Sequence, residues 1–437
     1  MNLGERLIEF FLTGGVVGLD PARHLEEYRA RLRAFKADEA LTIVIAEKAP
    51  ERFLAALAVA WAARARVVLA SAQWRMYEWQ EVRQQVAADI ILGDSFLSAR
   101  PVPAEAETLR QGPCLAIPTG GTGGHVRFAV HDDATLAAAA RGFHEWQHEA
   151  SLCCWSGLPL YHVSGLMPVV RAALGQGKFI WSGGRAEGLR EAFPGMLNVI
   201  SLVPTQLARA KRESGADDWL RKFSAILVGG DSVSDELRQF SRSARLPLSP
   251  SYGMTETAAA VCAVRPADFL SGDDSSGTAL PHARVTLFRE DPPEAQRLQV
   301  ESESLFLGYW GTPEIPRHSW PTDDRGFVDE GGRVYVTGRI RPSINTGGEK
   351  VDPGEVERAL VESGIAKEAL IVGIPDTEWG ECVTAVYVPG SLKARDQLKA
   401  RLSSHKIPKH WIAVKRLPLN AHGKLDSAEL SRIVSGI

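Results

Sequence analysis

Short apolar runs alternate with amphipathic helical patterns along most of this 437-residue chain. Residues 1–110 contain the runs ALTIVIA, ARVVLAS and DIILGD among helical patterns such as PARHLEEYRARLRAF. The runs FIWSG, NVISLVP and SAILVGG continue this alternation beyond residue 150, and PTQLARAKRESG between two of them is helical with a glycine stop. Continuous β-branched runs separated by helices are typical of parallel sheets covered on both faces. The sequence therefore predicts layered α/β structure.

The pattern changes twice toward the C-terminus. Residues 275–337 contain short strands and turns, such as ARVTLFRE and RLQVES, which favour a small antiparallel β region. RIRPSINTGG is a basic stretch without periodicity, and a new α/β pattern follows in which Asp352 and Pro353 are typical of a helix start and Gly364 of a helix stop. We predict a large N-terminal domain over 1–337, a hinge over 338–345 and a small, mobile α+β domain over 346–437.

Composition restricts the class of partner. Hydrophobic residues make up 45% and charged residues 24%, as in an ordinary globular protein. The net charge of -3 argues against nucleic acid as a partner. The N-terminus does not resemble a signal peptide, and the longest apolar run carries Arg64 and Arg66, so we expect a cytoplasmic protein without a transmembrane segment. Five scattered cysteines without a CxxC spacing predict reduced core thiols rather than a disulfide or zinc framework.

A glycine-rich stretch, IPTGGTGGHVRFAVH at 117–131, lies between two apolar runs. Glycine leaves the backbone N–H groups open to an anion, two threonine hydroxyls add donors, and Arg127 adds a positive charge. The stretch matches neither G-x-x-x-x-G-K-[ST] nor G-x-G-x-x-G, and an ordinary hairpin connection is the alternative. The candidate phosphate-binding residues are Thr119, Gly120, Gly121, Thr122, Gly123, Gly124 and Arg127.

Four later stretches strengthen this prediction, because together with the glycine-rich stretch they follow the order and spacing of a known superfamily. The chain resembles the adenylate-forming ligases, which include acyl-CoA synthetases, luciferases and peptide-synthetase adenylation domains, over almost its whole length. The matching stretches are TGGTGGHVR (119–127), LPLYHVSGL (158–166), SYGMTET (251–257), PTDDRGFVDEGGRVYVTGR (321–339) and LPLNAHGK (417–424).

Within that superfamily the chain is most similar to the o-succinylbenzoate:CoA ligases of menaquinone and phylloquinone synthesis. The similarity rests on LPLYHVSGL with Arg171 nine residues after its His162, on SLVPTQL at 201–207, and on PTGGTGG, which resembles the cyanobacterial branch. The resemblance implies adenylation of a carboxylic acid by ATP with Mg²⁺, followed by transfer of the acyl group to coenzyme A. Small molecules would then be the partners, and the protein would be a monomer or a homodimer.

The resemblance also implies roles for individual residues. The glycine-rich loop would close over the β- and γ-phosphates, Glu256 would bind Mg²⁺, and Lys424 would be brought to the α-phosphate by the small domain. Thr255 would contact the α-phosphate, and Asp324 would accept the ribose hydroxyls. The remaining predicted nucleotide-binding residues are Gly230, Tyr252 near adenine, Gly253, and Arg339 at the ribose or phosphate.

This chain departs from the family pattern at the loop and at the hinge. Gly120, Gly123, Val126 and Arg127 stand where the family has Ser, Thr, Pro and Lys, so hydroxyls are lost and the cation changes shape. Arg341 stands where the family hinge often has Asp or Lys. These differences leave the strength of pyrophosphate contact and the rotation of the small domain open.

The resemblance further implies an acyl pocket that must recognise a second carboxylate on the substrate. Arg171 and Ser201 are the candidates for that carboxylate, although a solvent-facing helix charge and a satisfied strand-end hydroxyl are the alternatives. His162 would border the reacting carboxylate and the coenzyme A channel, and Gly229 would lie along the acyl group. Gly347 and Gly348 would line the pantetheine channel.

Other functions compete with this one. HEWQH at 144–148 satisfies the H-E-x-x-H zinc signature inside a helical pattern, but no third ligand follows at a known spacing, so a metalloprotease is disfavoured. The chain would otherwise adenylate a different aryl or aliphatic acid, load a carrier protein, or bind nucleotide without catalysis.

Overall fold

The computed structural model describes residues 1–35, 41–93, 112–120, 126–149, 151–183, 197–288, 296–312, 315, 319–340, 343–390, 398–418 and 427–434. The chain divides into two compact units. The first comprises Met1–Ala72, Arg83–Thr119 and Arg127–Ile340, and the second comprises Gln73–Val82, Gly120–Val126 and Arg341–Ile437.

Helices and strands alternate along the chain. The helices are α1 Leu3–Leu12, α2 Leu25–Arg33, α3 Pro50–Ala62, α4 Met76–Gln85, α5 Asp133–Gln147, α6 Val163–Leu174, α7 Pro204–Arg212, α8 Ala216–Leu220, α9 Asp235–Ser243, α10 Pro266–Leu270, α11 Pro353–Glu362, α12 Leu398–Arg401 and α13 Ser427–Val434. The strands are β1 Val16–Val17, β2 Thr42–Ala46, β3 Arg66–Leu69, β4 Ile90–Gly93, β5 Cys114–Gly120, β6 Val126–His131, β7 Leu152–Ser156, β8 Lys178–Trp181, β9 Leu197–Leu202, β10 Ala225–Val228, β11 Leu248–Met254, β12 Ala259–Ala263, β13 Thr278–Ala279, β14 Ala283–Leu287, β15 Arg297–Ser302, β16 Trp320–Val328, β17 Val334–Arg339, β18 Ile344–Thr346, β19 Glu349–Val351, β20 Ala366–Asp376, β21 Gly380–Pro389 and β22 His410–Ala413.

Two sheets with parallel strands build most of the first unit. One has eight strands in the order β1-β8-β7-β9-β10-β11-β12-β13, parallel as far as β11 and antiparallel beyond it. The other has the order β4-β2-β3-β5-β6, and its pairs from β4 to β5 are parallel. β2 and β7 are buried at every position, and β2 lies in the run ALTIVIA, which predicts a buried strand. These apolar strands pack with α3 and α6 in one large core.

A four-stranded antiparallel sheet, β14-β15-β16-β17, completes the first unit. Burial alternates along β15, so one of its faces is buried and the other is more open. Val285, Val300 and Val334 of this sheet pack with Tyr252 and Cys262 in a separate cluster. This contact holds the antiparallel sheet against the β11 and β12 end of the large sheet.

The second unit is built on a sheet of five strands in the order β19-β18-β21-β20, with β22 parallel to β21. α11 begins as the sequence predicts, since the Asp352 side chain accepts a hydrogen bond from the Glu355 N–H and Pro353 follows. Val356 and Leu360 of this helix pack on the sheet with Val383 and Ala385. Gly364, at φ +72°, follows the helix, as a stop residue does.

These observations confirm the predicted fold class. Each of the six apolar runs contains a strand, and the 275–337 region is antiparallel. PARHLEEYRARLRAF was expected to be one helix, but it contains a 3₁₀ turn at Ala22–His24 before α2. The predicted linker 338–345 includes the end of β17 and the start of β18, and Arg341 lies outside the described residues. The domain limits and the hinge remain predictions.

Two further expectations concern the cysteines and the membrane. All five cysteines are buried free thiols, as predicted. Among the helices that the structure describes, none combines the length and the apolar character needed to cross a bilayer.

Candidate active site

The carboxylate of Asp324 is held between two predicted nucleotide-binding residues. The Tyr252 hydroxyl donates to Oδ2 over 2.9 Å and the Arg339 Nε donates to Oδ1 over 2.7 Å. Asp324 faces Arg339 in the β16–β17 register and is only 6% exposed. Burial and then the Asp324 charge raise the pKa of Tyr252, so its hydroxyl stays a hydrogen-bond donor. The structure therefore brings Tyr252, Asp324 and Arg339 together.

Tyr309, which the sequence analysis did not single out, contacts both Glu256 and Arg127. The Tyr309 hydroxyl donates to Glu256 Oε1 over 2.8 Å, and the Arg127 guanidinium carbon lies 4.4 Å from the centre of the Tyr309 ring. Arg127 Nε is buried and has no hydrogen-bond partner among the described residues. A planar guanidinium can stack flat on an aromatic ring, whereas an ammonium group cannot. The Tyr309 ring therefore favours arginine over lysine at position 127.

The short turn that carries Glu256 is tightly fixed. β11 ends at Met254 and a 3₁₀ turn covers Thr255–Thr257, with the Thr257 side chain bonded to the Met254 N–H over 3.0 Å. The buried imidazole of His131 lies 2.8 Å from the carbonyl oxygen of Thr255. A Cβ at Gly253 would lie 2.0 Å from the carbonyl oxygen of Ala259, so only glycine fits there. The backbone of the predicted α-phosphate contact is therefore held in place.

The donor set at Glu256 suits a hydrated, nucleotide-bound Mg²⁺ better than a protein-only metal centre. A carboxylate is a hard oxygen ligand, and Mg²⁺ in nucleotide sites is held by one or two carboxylates with phosphate oxygens. Within the described parts of the chain, no three His, Cys, Asp or Glu side chains are grouped as a metal site. Glu256 is 7% exposed and keeps hydrogen-bond capacity beyond the Tyr309 contact.

Only part of the glycine-rich loop can be located. Thr119 is half-buried near the end of β5, Gly120 ends that strand, and Arg127 is the second residue of β6. The other predicted residues, Gly121, Thr122, Gly123, Gly124 and Lys424, lie outside the described residues. Their roles remain predictions.

The predicted acyl-pocket residues lie in one sheet and one helix of the first unit. His162 precedes α6, half-buried, with its ring centre 4.4 Å from that of Tyr161. Ser201 of β9 is buried and lies opposite Leu227 of β10. Gly229 and Gly230 follow β10, and Gly230 has a φ of +86°, which favours glycine.

Arg171 is buried in the interior of the first unit. It lies on α6, is only 3% exposed, and its guanidinium carbon is 3.8 Å from the centre of the Phe143 ring. Burial lowers the pKa of Arg171 to about 10, so the group is still positively charged at neutral pH. Among the described residues no carboxylate pairs with it, and its Nε has no hydrogen-bond partner. The alternative of a solvent-facing helix charge is therefore wrong.

The zinc-like pattern at 144–148 does not form a shared helix face. α5 ends at Gln147, and His148 adopts a left-handed conformation at φ +57°. His148 was expected to be a helical residue, and that expectation is wrong. Its Nε2 lies 3.2 Å from an Arg265 guanidinium nitrogen, whereas the Nε2 of His144 is buried without a partner in the described structure.

Gly347 and Gly348 lie in the second unit, in the tight turn between β18 and β19. Their φ values are +64° and +88°, and a Cβ on Gly347 would lie 3.1 Å from the Trp379 ring. Both positions thus favour glycine for local reasons. Their role in a coenzyme A channel remains a prediction.

Comparison with known proteins agrees with the resemblance found in the sequence. A family model for the AMP-binding enzyme matches residues 12–310, and a model for the AMP-binding enzyme C-terminal domain matches residues 355–424. The 2-succinylbenzoate–CoA ligase of Geobacillus kaustophilus (strain HTA426) is 30% identical over 300 residues, which are 64% of this chain and 61% of that protein. The indoleacetate–CoA ligase of Aromatoleum aromaticum (strain DSM 19018 / LMG 30748 / EbN1) is 29% identical over 364 residues, which are 77% of this chain and 70% of that protein.

Solved structures share the fold. A double mutant of o-succinylbenzoate CoA synthetase from Bacillus subtilis has a TM-score of 0.80 at 21% identity and covers 98% of both chains. The amide bond synthetase McbA from Marinactinospora thermotolerans has a TM-score of 0.79 at 19% identity and covers 98% of this chain and 99% of that one. The chain spans 61% of the length of the first curated relative it matches. The matched family models establish that this chain belongs to the AMP-binding enzyme family.

Proposed function

We propose that this protein is an ATP-dependent acid:CoA ligase whose acid is o-succinylbenzoate, and that it serves menaquinone or phylloquinone synthesis. A carboxylate oxygen would attack the α-phosphorus of ATP, the bond to the β-phosphate oxygen would break, and pyrophosphate would leave. The sulfur of the coenzyme A thiolate would then attack the acyl carbon, and AMP would leave. Such a reaction depends mainly on positioning and on neutralising charge.

The nucleotide half of this proposal is supported by the contacts of Asp324 and Glu256. The Asp324 carboxylate is oriented by Tyr252 and Arg339, and its oxygens would accept hydrogen bonds from two ribose hydroxyls. Arg127 adds a positive charge. Its Nε has no hydrogen-bond partner in the described structure, so this N–H is available to a phosphate oxygen. Mg²⁺ held by Glu256 and nucleotide oxygens would offset the negative charge of the phosphates.

The observation that carries the choice of acid is the buried, unpaired charge of Arg171. Burying a cation without a partner costs several kcal/mol of stability, roughly as much as removing one partner of a buried ion pair. We therefore expect an anionic ligand to pair with Arg171. His162 is the residue before α6 and Arg171 lies on that helix nine residues later, a rise of about 13.5 Å along a helix axis. The proposed substrate would lie between these side chains, with its reacting carboxylate toward His162 and its second carboxylate toward Arg171.

The experiment that tests the proposal is coupled release of AMP with four acids, namely o-succinylbenzoate, benzoate, a medium-chain fatty acid and an amino acid. We expect release only with o-succinylbenzoate, and only when coenzyme A is present. Activity with another acid would overturn the choice of substrate. Pyrophosphate exchange without CoA-dependent AMP release would favour a carrier protein as acceptor, and no exchange with any acid would favour a nucleotide-binding protein without catalysis.

An Arg171→Ala variant is expected to raise the KM for o-succinylbenzoate by about 10–100-fold, because a hydrogen bond to a charged group contributes about 1.5–3 kcal/mol. The KM for an analogue without the non-reacting carboxyl group should change much less, since that analogue has no charge for Arg171 to neutralise. Both values come from pyrophosphate exchange at saturating ATP. Equal changes for the two acids would remove Arg171 from the recognition of the second carboxylate.

An Asp324→Ala variant is expected to raise the KM for ATP by about 10–100-fold, because the ribose hydroxyls lose a charged acceptor and Arg339 loses its partner. Asp323→Ala is the matched control, since its side chain is about one third exposed and its nearest ion-pair contact, with Arg297, is a loose 3.8 Å. Steady-state kinetics with ATP as the varied substrate measures both. Similar KM values for the two variants would contradict the ribose role.

A further inference from the structure

A group of buried polar atoms without partners surrounds Arg171 in the first unit. Within the described structure, the unsatisfied atoms near this arginine are its own Nε, the Nε2 of His144, and both ring nitrogens of His282. Buried polar atoms in folded proteins are almost always hydrogen-bonded, so a cluster of such atoms indicates a missing ligand or bound water. We propose that His282 and His144 complete, with Arg171, a pocket for the second, non-reacting carboxylate of the substrate. This inference rests on the proposed function.

Packing of α5 against α6 brings these side chains into one place. Arg171 of α6 stacks on Phe143 of α5, and His144 is the next residue on α5. His282 packs against Gly142, the residue before Phe143. A Cβ at position 142 would lie 2.0 Å from the His282 Nδ1. Glycine at position 142 therefore makes the space that the His282 ring occupies beside the arginine.

The charges in this pocket match a ligand with one negative charge. Burial and then the Arg171 charge lower the pKa of His144, and burial followed by the charges of Arg171 and Arg141 lowers the pKa of His282 to about 4. Both imidazoles are thus neutral at pH 7, and Arg171 provides the only full charge of the three. An acid without a second negative charge would leave this cation unpaired, so the pocket favours a dicarboxylate over a monocarboxylic acid.

The hydrogen-bonding capacity of the histidines fits a carboxylate as well. A neutral imidazole has one N–H donor and one acceptor nitrogen. The Nε2 of His144 is buried without a hydrogen-bond partner in the described structure, so it is free to bond to a ligand. His282 has neither nitrogen occupied in the described structure, so its N–H is available to a carboxylate oxygen that Arg171 attracts. Together they add hydrogen bonds without adding repulsive charge.

A chain of hydroxyl groups ties His282 to the turn that carries Glu256. The Ser302 hydroxyl donates to the His282 carbonyl oxygen over 2.8 Å and lies 2.9 Å from the Ser304 hydroxyl. The Ser304 hydroxyl is 2.9 Å from the carbonyl oxygen of Thr257, the residue after Glu256. Three hydrogen bonds thus link the backbone of His282 to the residue after the predicted Mg²⁺ ligand.

The test compares His282→Leu with His282→Asn and with the matched control His148→Leu; His148 follows α5, the helix that carries His144, and has a different partner. We expect His282→Leu to raise the KM for o-succinylbenzoate about tenfold or more, and to leave the KM for an analogue without the non-reacting carboxyl group within about twofold. His282→Asn keeps a donor and should recover most of the loss, and His148→Leu should behave as the unaltered chain. Should His282→Leu fail to accumulate as folded protein, His144→Leu carries the same comparison.

The outcomes separate this inference from the proposed function. Equal loss with both acids, or no rescue by His282→Asn, would mean that His282 only supports packing or holds water, and would overturn the inference. If the unaltered chain does not use o-succinylbenzoate in preference to its monocarboxylate analogue, the choice of acid itself fails. A preference in the unaltered chain that persists in His282→Leu would overturn the role of the histidine alone.

Discussion

A Lys424→Ala variant is expected to form the acyl-adenylate about 10²–10³-fold more slowly than the unaltered chain, the range seen when one preorganised charge-stabilising group is removed. Negative charge develops on the α-phosphate as the carboxylate oxygen attacks, and a cation that arrives only in the closed state stabilises that charge selectively. In the role that we propose for Lys424, the cation acts in the first half-reaction only. The variant should therefore convert supplied acyl-adenylate and coenzyme A to thioester at nearly the unaltered rate.

Two assays separate these half-reactions. Pyrophosphate exchange measures adenylation, and single-turnover consumption of synthetic o-succinylbenzoyl adenylate measures thioester formation. Lys415→Ala is the matched control, because Lys415 is an exposed lysine nine residues earlier in the chain. A Lys424→Ala variant that adenylates normally but loses thioester formation would show that the assigned role is wrong.

The elements of this fold could be predicted where the local pattern alone determines them. β2 and β10 lie in the quoted apolar runs ALTIVIA and SAILVGG and are buried at every position, as continuous apolar runs of strand length predict. α11 begins and ends at residues with a local capping function. The 3₁₀ turn before α2 was missed because a helical periodicity does not distinguish i→i+3 from i→i+4 hydrogen bonding over a single turn.

The candidate site was predictable only where residues belong to a recognisable motif. Tyr252, Asp324 and Arg339 lie in such motifs, and the structure brings them together. Tyr309 is 53 residues from Glu256 and His131 is 124 residues from Thr255. Contacts over such separations depend on tertiary packing, which leaves no periodic signal in the sequence.

The burial of Arg171 could not be predicted from the sequence either. Arg171 follows a helical pattern in which either a solvent-facing or an inward-facing charge is possible, and only the packing of α6 on Phe143 decides between them. His282 belongs to no motif at all. Its ring fits where it does because Gly142 has no Cβ, and the sequence does not show that His282 packs against this glycine.

The second unit contains a contact that no sequence pattern indicated. Gln73–Val82 belongs to this unit, and Glu78 in that segment is fully buried. The Lys406 ammonium lies 3.1 Å from Glu78 Oε1 and 2.6 Å from Glu355 Oε1, and it is itself buried. Two carboxylates thus share one cation in the interior. Lysine and glutamate are rarely fully buried in folded proteins, so the residue types alone do not indicate this buried group.

A Lys406→Met variant is expected to lower the free energy of unfolding of the second unit by about 3–5 kcal/mol, since removing one partner leaves buried carboxylates uncompensated. Glu78 accepts hydrogen bonds from the Arg75 N–H and from the Ser403 N–H and hydroxyl, so it stays ionised in spite of burial. Glu355 has fewer donors, and burial raises its pKa to about 7. Urea denaturation followed by tryptophan fluorescence and circular dichroism measures the loss.

Several comparisons distinguish electrostatic loss from lost packing. Lys367→Met, at an exposed lysine of β20, is the matched control and should change stability by less than about 0.5 kcal/mol. Glu355→Gln added to Lys406→Met should recover part of the loss, because one unpaired charge is removed.

Between pH 4.5 and 7 the folded state binds more protons at Glu355 than the unfolded state does, so the contribution of this group to stability falls as pH rises and is lost above pH 7. The Lys406→Met deficit should therefore be larger at pH 8 than at pH 5.5, and a deficit that is equal at both pH values and unaffected by Glu355→Gln would contradict an electrostatic role for Lys406.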